Sequence, residues 1–182
     1  MLSLLRHTKP EIKPNICYGW ADIGLDSFSE EADIERVLSK LEGREFSRIY
    51  TSPLSRCRIL AERIAKKYNY DLVESALLKE INFGEWELRS WDDIYNSDEG
   101  RLWFENFLYN RCPNGESFLD LENRMRIFHK NIKEENILIV THAGPMRAML
   151  SLLGIYEREK VFERKIEYGE LIEISPRNIL NK

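Results

Sequence analysis

Two histidines and two arginines occupy positions from which their side chains would converge in a parallel sheet. His7 and His142 each come within two residues of the end of an apolar run that is typical of a buried strand. Arg6 lies beside the first histidine, and Arg56 lies in the first turn of a helix predicted to follow a third strand. Because ligand sites of open parallel sheets lie beyond the carboxyl ends of the strands, we expect these four side chains to form one site.

The chemistry of these side chains favours a phosphoryl group as the ligand. A guanidinium presents a planar fork of donors that matches phosphate oxygens. A neutral imidazole is a nucleophile when its other nitrogen is held by an acceptor. A single histidine near a strand end is more often structural, but two at equivalent junctions with two arginines favour an anion site. Phosphoryl transfer needs mainly positioning and charge stabilisation, so a metal-free covalent route is the simplest fit.

Hydrophobic patterning predicts the elements that would position this site. The predicted strands are residues 1–5, 49–50, 137–140 and 171–174, and we expect the last at a sheet edge. Predicted helices begin at a capping box from Ser27 to Glu30, at Ser52-Pro53, at a capping box from Ser117 to Asp120, and at Met146. They end near Gly43, near Tyr68 and, for the last, at Leu153. Strands alternating with helices predict an α/β fold, a three-layer α/β/α sandwich with a mostly parallel sheet.

The segment at about 80–116 differs in character because it concentrates aromatic residues among many charges. We interpret it as an inserted, lid-like set of loops and short helices over the main sheet. Its aromatic residues between Phe83 and Tyr109 would either recognise an organic group attached to a phosphate or form core beneath the insertion. The second reading is favoured for any single ring, since such side chains usually bury against the fold.

Length and composition restrict the classes of function. A chain of 182 residues fits one domain, residues 1–182, and a net charge of −4 argues against a nucleic-acid binder. No stretch approaches the roughly 20 apolar residues of a membrane span, and the first apolar run is too short for a secretory signal. Three scattered cysteines suit a reducing cytoplasm, so a cytoplasmic protein is expected. The sequence has no glycine-rich nucleotide loop and no obvious carboxylate cage, so we expect neither a cofactor nor a metal.

Five segments resemble, in the family's order, the signature motifs of the histidine phosphatase superfamily, also called phosphoglycerate mutase-like. They are Leu5–Thr8, Tyr50–Cys57, Leu78–Glu87, Pro113–Ser117 and Val140–Gly144. Together they span nearly the whole chain, which identifies it as a member of that superfamily. The resemblance implies a phosphoglycerate mutase-like fold and a small phosphorylated metabolite as the substrate.

The same resemblance implies a role for each matching residue. His7 would be the phosphorylated nucleophile, and Glu80 would protonate the leaving oxygen and then activate water. The phosphoryl oxygens would be held by Arg6, Arg56, His142 and the backbone amide of Ala143. Rival acids are Glu85, Glu87, Asp92, Asp93 and Glu116; the first two are better interpreted as exposed loop carboxylates. His129 is expected on a solvated helix face without a role.

The opening of the chain departs from the commonest family pattern. Thr8 replaces the usual glycine, and the Arg-His-Thr-x-Pro opening followed by Cys17–Asp22 resembles the α-ribazole phosphatase branch. Enzymes of that branch remove phosphate from a nucleotide-like precursor in cobalamin synthesis. Thr8, Tyr18 and Trp20 are therefore candidate substrate contacts.

Several other functions remain open at this stage. They are a broad-specificity sugar-phosphate or phosphoprotein phosphatase, a phosphoglycerate mutase, and a non-catalytic phosphate-binding module. The chain ends soon after its last predicted strand, whereas cofactor-dependent mutases are expected to carry a longer tail, and this favours a phosphatase over a mutase. The presence of both histidines, both arginines and Glu80 argues against a module that has lost catalysis.

Overall fold

The two apolar runs that precede the histidines lie side by side at the centre of a five-stranded sheet. The computed structural model describes residues 1–175. Its strands are β1 (Leu2–Arg6), β2 (Arg48–Thr51), β3 (Leu72–Glu74), β4 (Ile137–Thr141) and β5 (Leu171–Ile174). The strand order is β3-β2-β4-β1-β5, and all neighbours are parallel except β5, which runs antiparallel to β1 at the edge. The predicted α/β class, the mostly parallel sheet and the edge position of the last strand are confirmed.

Helices cover both faces of this sheet, as the three-layer prediction requires. The helices are α1 (Glu30–Leu41), α2 (Ser55–Tyr68), α3 (Trp91–Asn96), α4 (Asp98–Glu105), α5 (Phe118–Asn131) and α6 (Ala143–Leu152). The core on one face joins α1 and α2 to Leu5, Leu138 and Val140, and the core on the other joins α5 and α6 to Leu4, Ile137 and Ile139. Successive residues of β1 and β4 thus point to opposite cores, which explains why Leu4 and Leu5 in β1 and all residues from Ile137 to Val140 in β4 are apolar.

The predicted starts of α1 and α2 are wrong, because in each case a side chain outside the predicted cap binds the backbone amides. Helix α1 begins at Glu30 rather than with a Ser27 capping box, because the Asp26 carboxylate accepts the amides of Phe28 and Ser29 instead. Helix α2 begins at Ser55, two residues after Pro53, and its first amide is capped from a distant loop by Asp22 at 2.7 Å. Rules based on neighbouring residues cannot predict a cap that comes from a segment distant in sequence.

Of the other two predicted helix starts, one is confirmed and one is wrong. The capping box of Ser117 and Asp120 is present at the start of α5, as predicted. Helix α6 begins at Ala143, three residues before the predicted Met146, with His142 as its N-cap residue. Pro145 is tolerated in the first turn because the amides there have no intrahelical partner. Gly43 has a φ of 74° just after α1, in agreement with the predicted stop.

The segment at 80–116 contains one short 3-10 turn, Gly84–Trp86, followed by α3 and α4. This matches the prediction of loops and short helices. Trp86 and Trp103 are buried and stack edge-to-face at 5.9 Å, whereas Tyr95 and Tyr109 are exposed. Most of the large rings therefore form a local aromatic core, which is the interpretation that the sequence analysis favoured. Strand β3 was not predicted, since three residues are too short to show a period.

One residue of this segment carries backbone strain that a substitution should relieve. Leu88 has a φ of 66° with a largely exposed side chain, and the left-handed region costs a residue with a Cβ roughly 1–2 kcal/mol. Glycine would remove this strain, but it also loses more conformational entropy on folding, which offsets part of the effect. We therefore expect Leu88→Gly to raise the free energy of unfolding by about 0.5 kcal/mol. Urea denaturation measures the difference. Arg89→Gly is the control, since Arg89 is exposed and lacks a positive φ, and it should lower stability. A loss of stability in Leu88→Gly would contradict the assignment of strain.

Candidate active site

The pairing of β1 with β4 brings the two histidines together. Arg6 lies opposite Thr141 in the register, and the His7 amide donates to the Thr141 carbonyl at 3.0 Å. Each histidine is the next residue after its strand, so the two rings emerge at the same level of the sheet. Their centroids are 5.2 Å apart in an edge-to-face arrangement, and both side chains are buried. The two rings belong to one site.

The hydrogen bonds around His7 determine which of its nitrogens can react. His7 Nδ1 lies 2.7 Å from the carbonyl oxygen of Thr8. A carbonyl oxygen only accepts, so Nδ1 carries the proton and Nε2 keeps its lone pair. Burial, together with the charges of Arg56 and Arg6, lowers the pKa of His7 well below its ordinary value. The ring is therefore neutral near pH 7, which is the form that a nucleophile needs.

His142 lies under similar constraints. Burial, then the charges of Arg56 and its neighbours, lowers the pKa of His142 well below its ordinary value. Its Nε2 lies 2.8 Å from the hydroxyl of Ser52 and 3.4 Å from the sulfur of Cys57. Ser52 precedes Arg56 in the second motif, and the sequence predicted only a helix-capping role for it. The structure shows that it orients the second imidazole.

The two arginines approach this pair from different sides, and their donors are only partly used. Arg56 is fully buried and donates to the carbonyls of Gly19 and Ala21, at 2.6 and 2.9 Å. Arg6 donates to the carbonyl of Ile166 at 2.5 Å. In both side chains the Nε is buried without a hydrogen-bond partner within residues 1–175. Two cations whose described partners are backbone carbonyls rather than carboxylates form a pocket that suits an anion.

Glu80 reaches the same place from the loop before the Gly84–Trp86 turn. One carboxylate oxygen accepts the Ile81 amide at 2.9 Å and the other accepts the Gly144 amide at 3.2 Å. A Cβ at position 144 would stand 2.0 Å from the first of these oxygens. The glycine is therefore required for the carboxylate to approach the first turn of α6. Glu80 also lines the main cavity together with Arg6, His7 and Ala143.

An ion pair that sequence reasoning missed fixes the loop that carries Glu80. Arg124, on α5, donates to the carbonyls of Leu77, Lys79 and Glu80. Its guanidinium also pairs with Glu116, at 2.7 Å between Nε and Oε1. Glu116 in turn accepts the amide of Asn82. This carboxylate is a brace for the loop, and its position gives no support to a role as the acid.

The remaining rival carboxylates are placed as follows. Glu87 was expected as an exposed loop carboxylate, and this is wrong. It accepts the amides of Gly19, Trp20, Ala21 and Phe83 at 2.8–3.1 Å, and so holds the loop before Asp22 in place. Glu85 is exposed and accepts the side-chain amide of Asn114, as expected of a loop carboxylate. Asp92 and Asp93 are exposed in the first turn of α3, and Asp92, unlike Asp93, lines the main cavity. His129 is exposed on α5, as expected.

The three candidate substrate contacts do not share one position. Tyr18 lines the main cavity, and its ring lies 5.2 Å from the guanidinium carbon of Arg56. The indole of Trp20 donates to the Glu80 carbonyl at 2.7 Å, outside that cavity. The side chain of Thr8 lines a separate pocket of about 220 Å³, and its carbonyl is what fixes His7. Tyr168 contacts the site too, and no motif pointed to it.

The cavity above His7 is much larger than a phosphate. It has a volume of about 780 Å³ and extends from Arg6 and His7 between the rings of the aromatic core. Its apolar walls are Ile16, Phe83, Trp91, Trp103, Phe107 and Phe162, with Arg147 at one side. Within residues 1–175, no group of three or more potential metal ligands comes together, and no helix is long and apolar enough to span a bilayer.

Comparison with known proteins places the chain among enzymes of phosphoryl transfer. Phosphoserine phosphatase 1 of Hydrogenobacter thermophilus is 29% identical over 85% of this chain and 76% of its own. The 2,3-bisphosphoglycerate-dependent phosphoglycerate mutase of Bartonella tribocorum is 25% identical over 92% of this chain and 88% of its own. The crystal structure of the alpha-ribazole phosphatase from Shigella flexneri superposes with a TM-score of 0.84 at 23% identity, over 97% of this chain and 91% of that one. This likeness confirms the phosphoglycerate mutase-like fold.

The family assignment rests on a match that runs along almost the whole chain. The model of the histidine phosphatase superfamily (branch 1) covers residues 2–178. That range includes all five segments whose motifs predicted the family. The chain belongs to the histidine phosphatase superfamily, branch 1.

Proposed function

We propose that this protein hydrolyses a small phosphomonoester through a phosphohistidine on His7. The observation that carries the proposal is the reactive Nε2 of a neutral His7 beside two arginines whose Nε groups are buried without partners. A phosphoryl group supplies the negative oxygens that these donors lack. It also supplies the electrophile that the imidazole would attack.

The first step forms the covalent intermediate. His7 Nε2 attacks phosphorus, the bond from phosphorus to the organic oxygen breaks, and Glu80 gives that oxygen its proton. The hydrogen bond from Nδ1 to the Thr8 carbonyl stabilises the positive charge that develops on the ring. Arg6, Arg56, His142 and the amide of Ala143 would hold the three equatorial oxygens.

The second step returns the enzyme to its starting state. Glu80, now ionised, takes a proton from water as the water attacks phosphorus, and the bond between phosphorus and Nε2 breaks. Inorganic phosphate leaves, and Glu80 is again protonated for the next cycle. A mutase would instead have to protect the phosphohistidine from water. The open cavity beside His7 favours hydrolysis over mutase activity. The neutral His7, with the Glu80 carboxylate at the same cavity, favours catalysis over a non-catalytic phosphate-binding module.

For the organic group, we propose an α-ribazole-like aromatic nucleoside, so that the substrate is α-ribazole 5′-phosphate and the reaction belongs to cobalamin synthesis. The volume of about 780 Å³ and its aromatic walls suit a planar ring system better than a three-carbon acid. The Arg-His-Thr-x-Pro opening also favours an α-ribazole-like substrate, and so does the position of Tyr18 in the cavity wall. Three buried free cysteines suit a reducing, cytoplasmic location.

The covalent route predicts a trapped intermediate. Rapid mixing with a ³²P-labelled phosphomonoester that the enzyme turns over, followed by alkaline denaturation, should leave an acid-labile label on His7. His7→Ala should remove the label and reduce kcat by at least about 1,000-fold, because the nucleophile is lost. His129→Ala is the control, since His129 is exposed and far from the site, and should keep both. A labelled residue other than His7, or no label during active turnover, would reject the route.

The role of Glu80 predicts an effect at a neighbouring glycine. Gly144→Ala should displace the Glu80 carboxylate, which the new Cβ would approach to 2.0 Å, and lower kcat toward the level of Glu80→Gln, about 100-fold or more below wild type. Its free energy of unfolding should change by less than about 1 kcal/mol, because a flexible side chain can move aside. Gly24→Ala, where a Cβ meets nothing within 4 Å, is the matched control. Full activity in Gly144→Ala would show that the position of Glu80 does not matter.

The substrate proposal predicts an order of specificity constants. We expect kcat/KM for α-ribazole 5′-phosphate to exceed that for phosphoserine and 3-phosphoglycerate by at least about 10-fold, because only the first fills the aromatic cavity. Phe107→Ala, in the cavity wall, should reduce this preference while leaving activity on phosphoserine little changed. A preference for either small acid would reject the α-ribazole assignment and leave the phosphohistidine route standing.

A further inference from the structure

Tyr168 lies outside every motif, yet it contacts the phosphate pocket. The guanidinium carbon of Arg6 stands 3.9 Å from the centroid of the Tyr168 ring, and the same ring is 5.6 Å from that of His7. The turn that carries it is tied to the catalytic loop, since the Gly169 amide donates to the His7 carbonyl at 3.1 Å. Gly169 has a φ of 66° there, which fixes the sharp turn behind the ring.

A second tyrosine, Tyr18, contacts both Tyr168 and the other arginine of the site. The hydroxyls of Tyr18 and Tyr168 are 2.8 Å apart, although 150 residues separate them in sequence. The ring of Tyr18 lies 5.2 Å from the guanidinium carbon of Arg56. Each phosphate-pocket arginine therefore lies against one tyrosine, and a hydrogen bond joins the two tyrosines. We call this chain of contacts the tyrosine bridge.

The electrostatics of the pocket explain why such a bridge is needed. Arg6 and Arg56 carry like charges close to one site, and their described partners are backbone carbonyls rather than carboxylates. Without an anion they repel each other, and long side chains relieve repulsion by moving apart. An aromatic face attracts a guanidinium without cancelling its charge, so it can hold the group in place and leave its donors available.

We propose that the tyrosine bridge positions Arg6 and Arg56 for a tetrahedral oxyanion, with Tyr168 as the positioning residue that sequence motifs do not reveal. Neither tyrosine forms or breaks a bond in the reaction. The bridge sets the separation and orientation of the two guanidinium groups before the anion arrives. This inference rests on the proposed function in so far as the oxyanion is a phosphoryl group.

The hydroxyls have capacity beyond the bridge itself. Two phenols supply two O–H donors, and their mutual hydrogen bond uses one. The second O–H remains to donate to an oxygen of the bound anion, or to a water that the anion replaces. Burial and the neighbouring Tyr168 raise the pKa of Tyr18, so this hydroxyl stays protonated at neutral pH.

The experiment measures anion binding directly and does not need turnover. Isothermal titration calorimetry with orthovanadate, a tetrahedral anion like phosphate, should be run on wild type, Tyr18→Phe, Tyr168→Phe and the double variant. Each phenylalanine keeps the ring and removes one hydroxyl of the bridge. We expect each single variant to weaken binding about 3- to 10-fold, the range of one hydrogen bond, and the double variant to lose little more than either. Tyr109→Phe, at an exposed tyrosine away from the pocket, is the matched control and should bind like wild type.

Two results would overturn the proposal. One is unchanged vanadate affinity in both single variants, and the other is losses that simply add in the double variant, since a shared hydrogen bond can be lost only once. Tyr168→Leu, which also removes the aromatic face, should weaken binding further than Tyr168→Phe. In turnover, the single variants should raise KM for the phosphomonoester more than they lower kcat. If the two hydroxyls had a purely structural role, the variants would shift the midpoint of urea unfolding without raising KM more than they lower kcat.

The result also separates this inference from the proposed function. If vanadate binds with the expected dependence on the two hydroxyls but no phosphohistidine forms, the bridge stands and the covalent route fails. If the phosphohistidine forms and vanadate binding ignores the hydroxyls, the route stands and the bridge fails.

Discussion

The parallel pairing of β1 with β4 is the contact on which the site depends. It aligns Arg6 with Thr141, so that two strands more than 130 residues apart in sequence end at the same level of the sheet. The residue that follows each strand is a histidine. Both strands are buried on both faces, and this register is therefore held by two hydrophobic cores at once. A shift by one residue would turn every apolar side chain to the wrong core and separate the two rings. The same strand register therefore determines both the stability of the sheet and the geometry of the pocket.

The rest of the pocket is built by loops that carboxylates hold from behind. Glu87 accepts hydrogen bonds from four backbone amides and so holds the loop that follows Tyr18. The ion pair of Glu116 with Arg124 holds the loop that carries Glu80. The partners of these two carboxylates are backbone amides and Arg124, and neither carboxylate pairs with Arg6 or Arg56 in the described residues. The protein therefore uses Glu87 and Glu116 to shape the site without neutralising its two arginines.

Much of this arrangement could be predicted from sequence because the decisive signals are local. His7 and His142 adjoin apolar strands, and the rule that sites form at strand ends then predicts their meeting. Tyr168 could not be predicted this way, since it reaches Arg6 across 162 positions and has no pattern of its own. The function of Glu87 was misjudged for a related reason, because its partners are backbone amides, which leave no trace in residue identity. The start of α2 was wrong because Asp22, its cap, lies 33 residues away.

The buried Nε groups of Arg6 and Arg56 have a consequence for the folded protein as a whole. Each is a donor removed from water with no hydrogen-bond acceptor in residues 1–175, and an unpaired buried donor costs stability. An anion that satisfied them would bind the native chain and not the unfolded one, and would raise the free energy of unfolding by mass action. Under the proposed function that anion is phosphate, so the melting temperature is expected to rise with the phosphate content of the buffer. Heat tolerance and retention of the proposed product would then depend on the same two nitrogens.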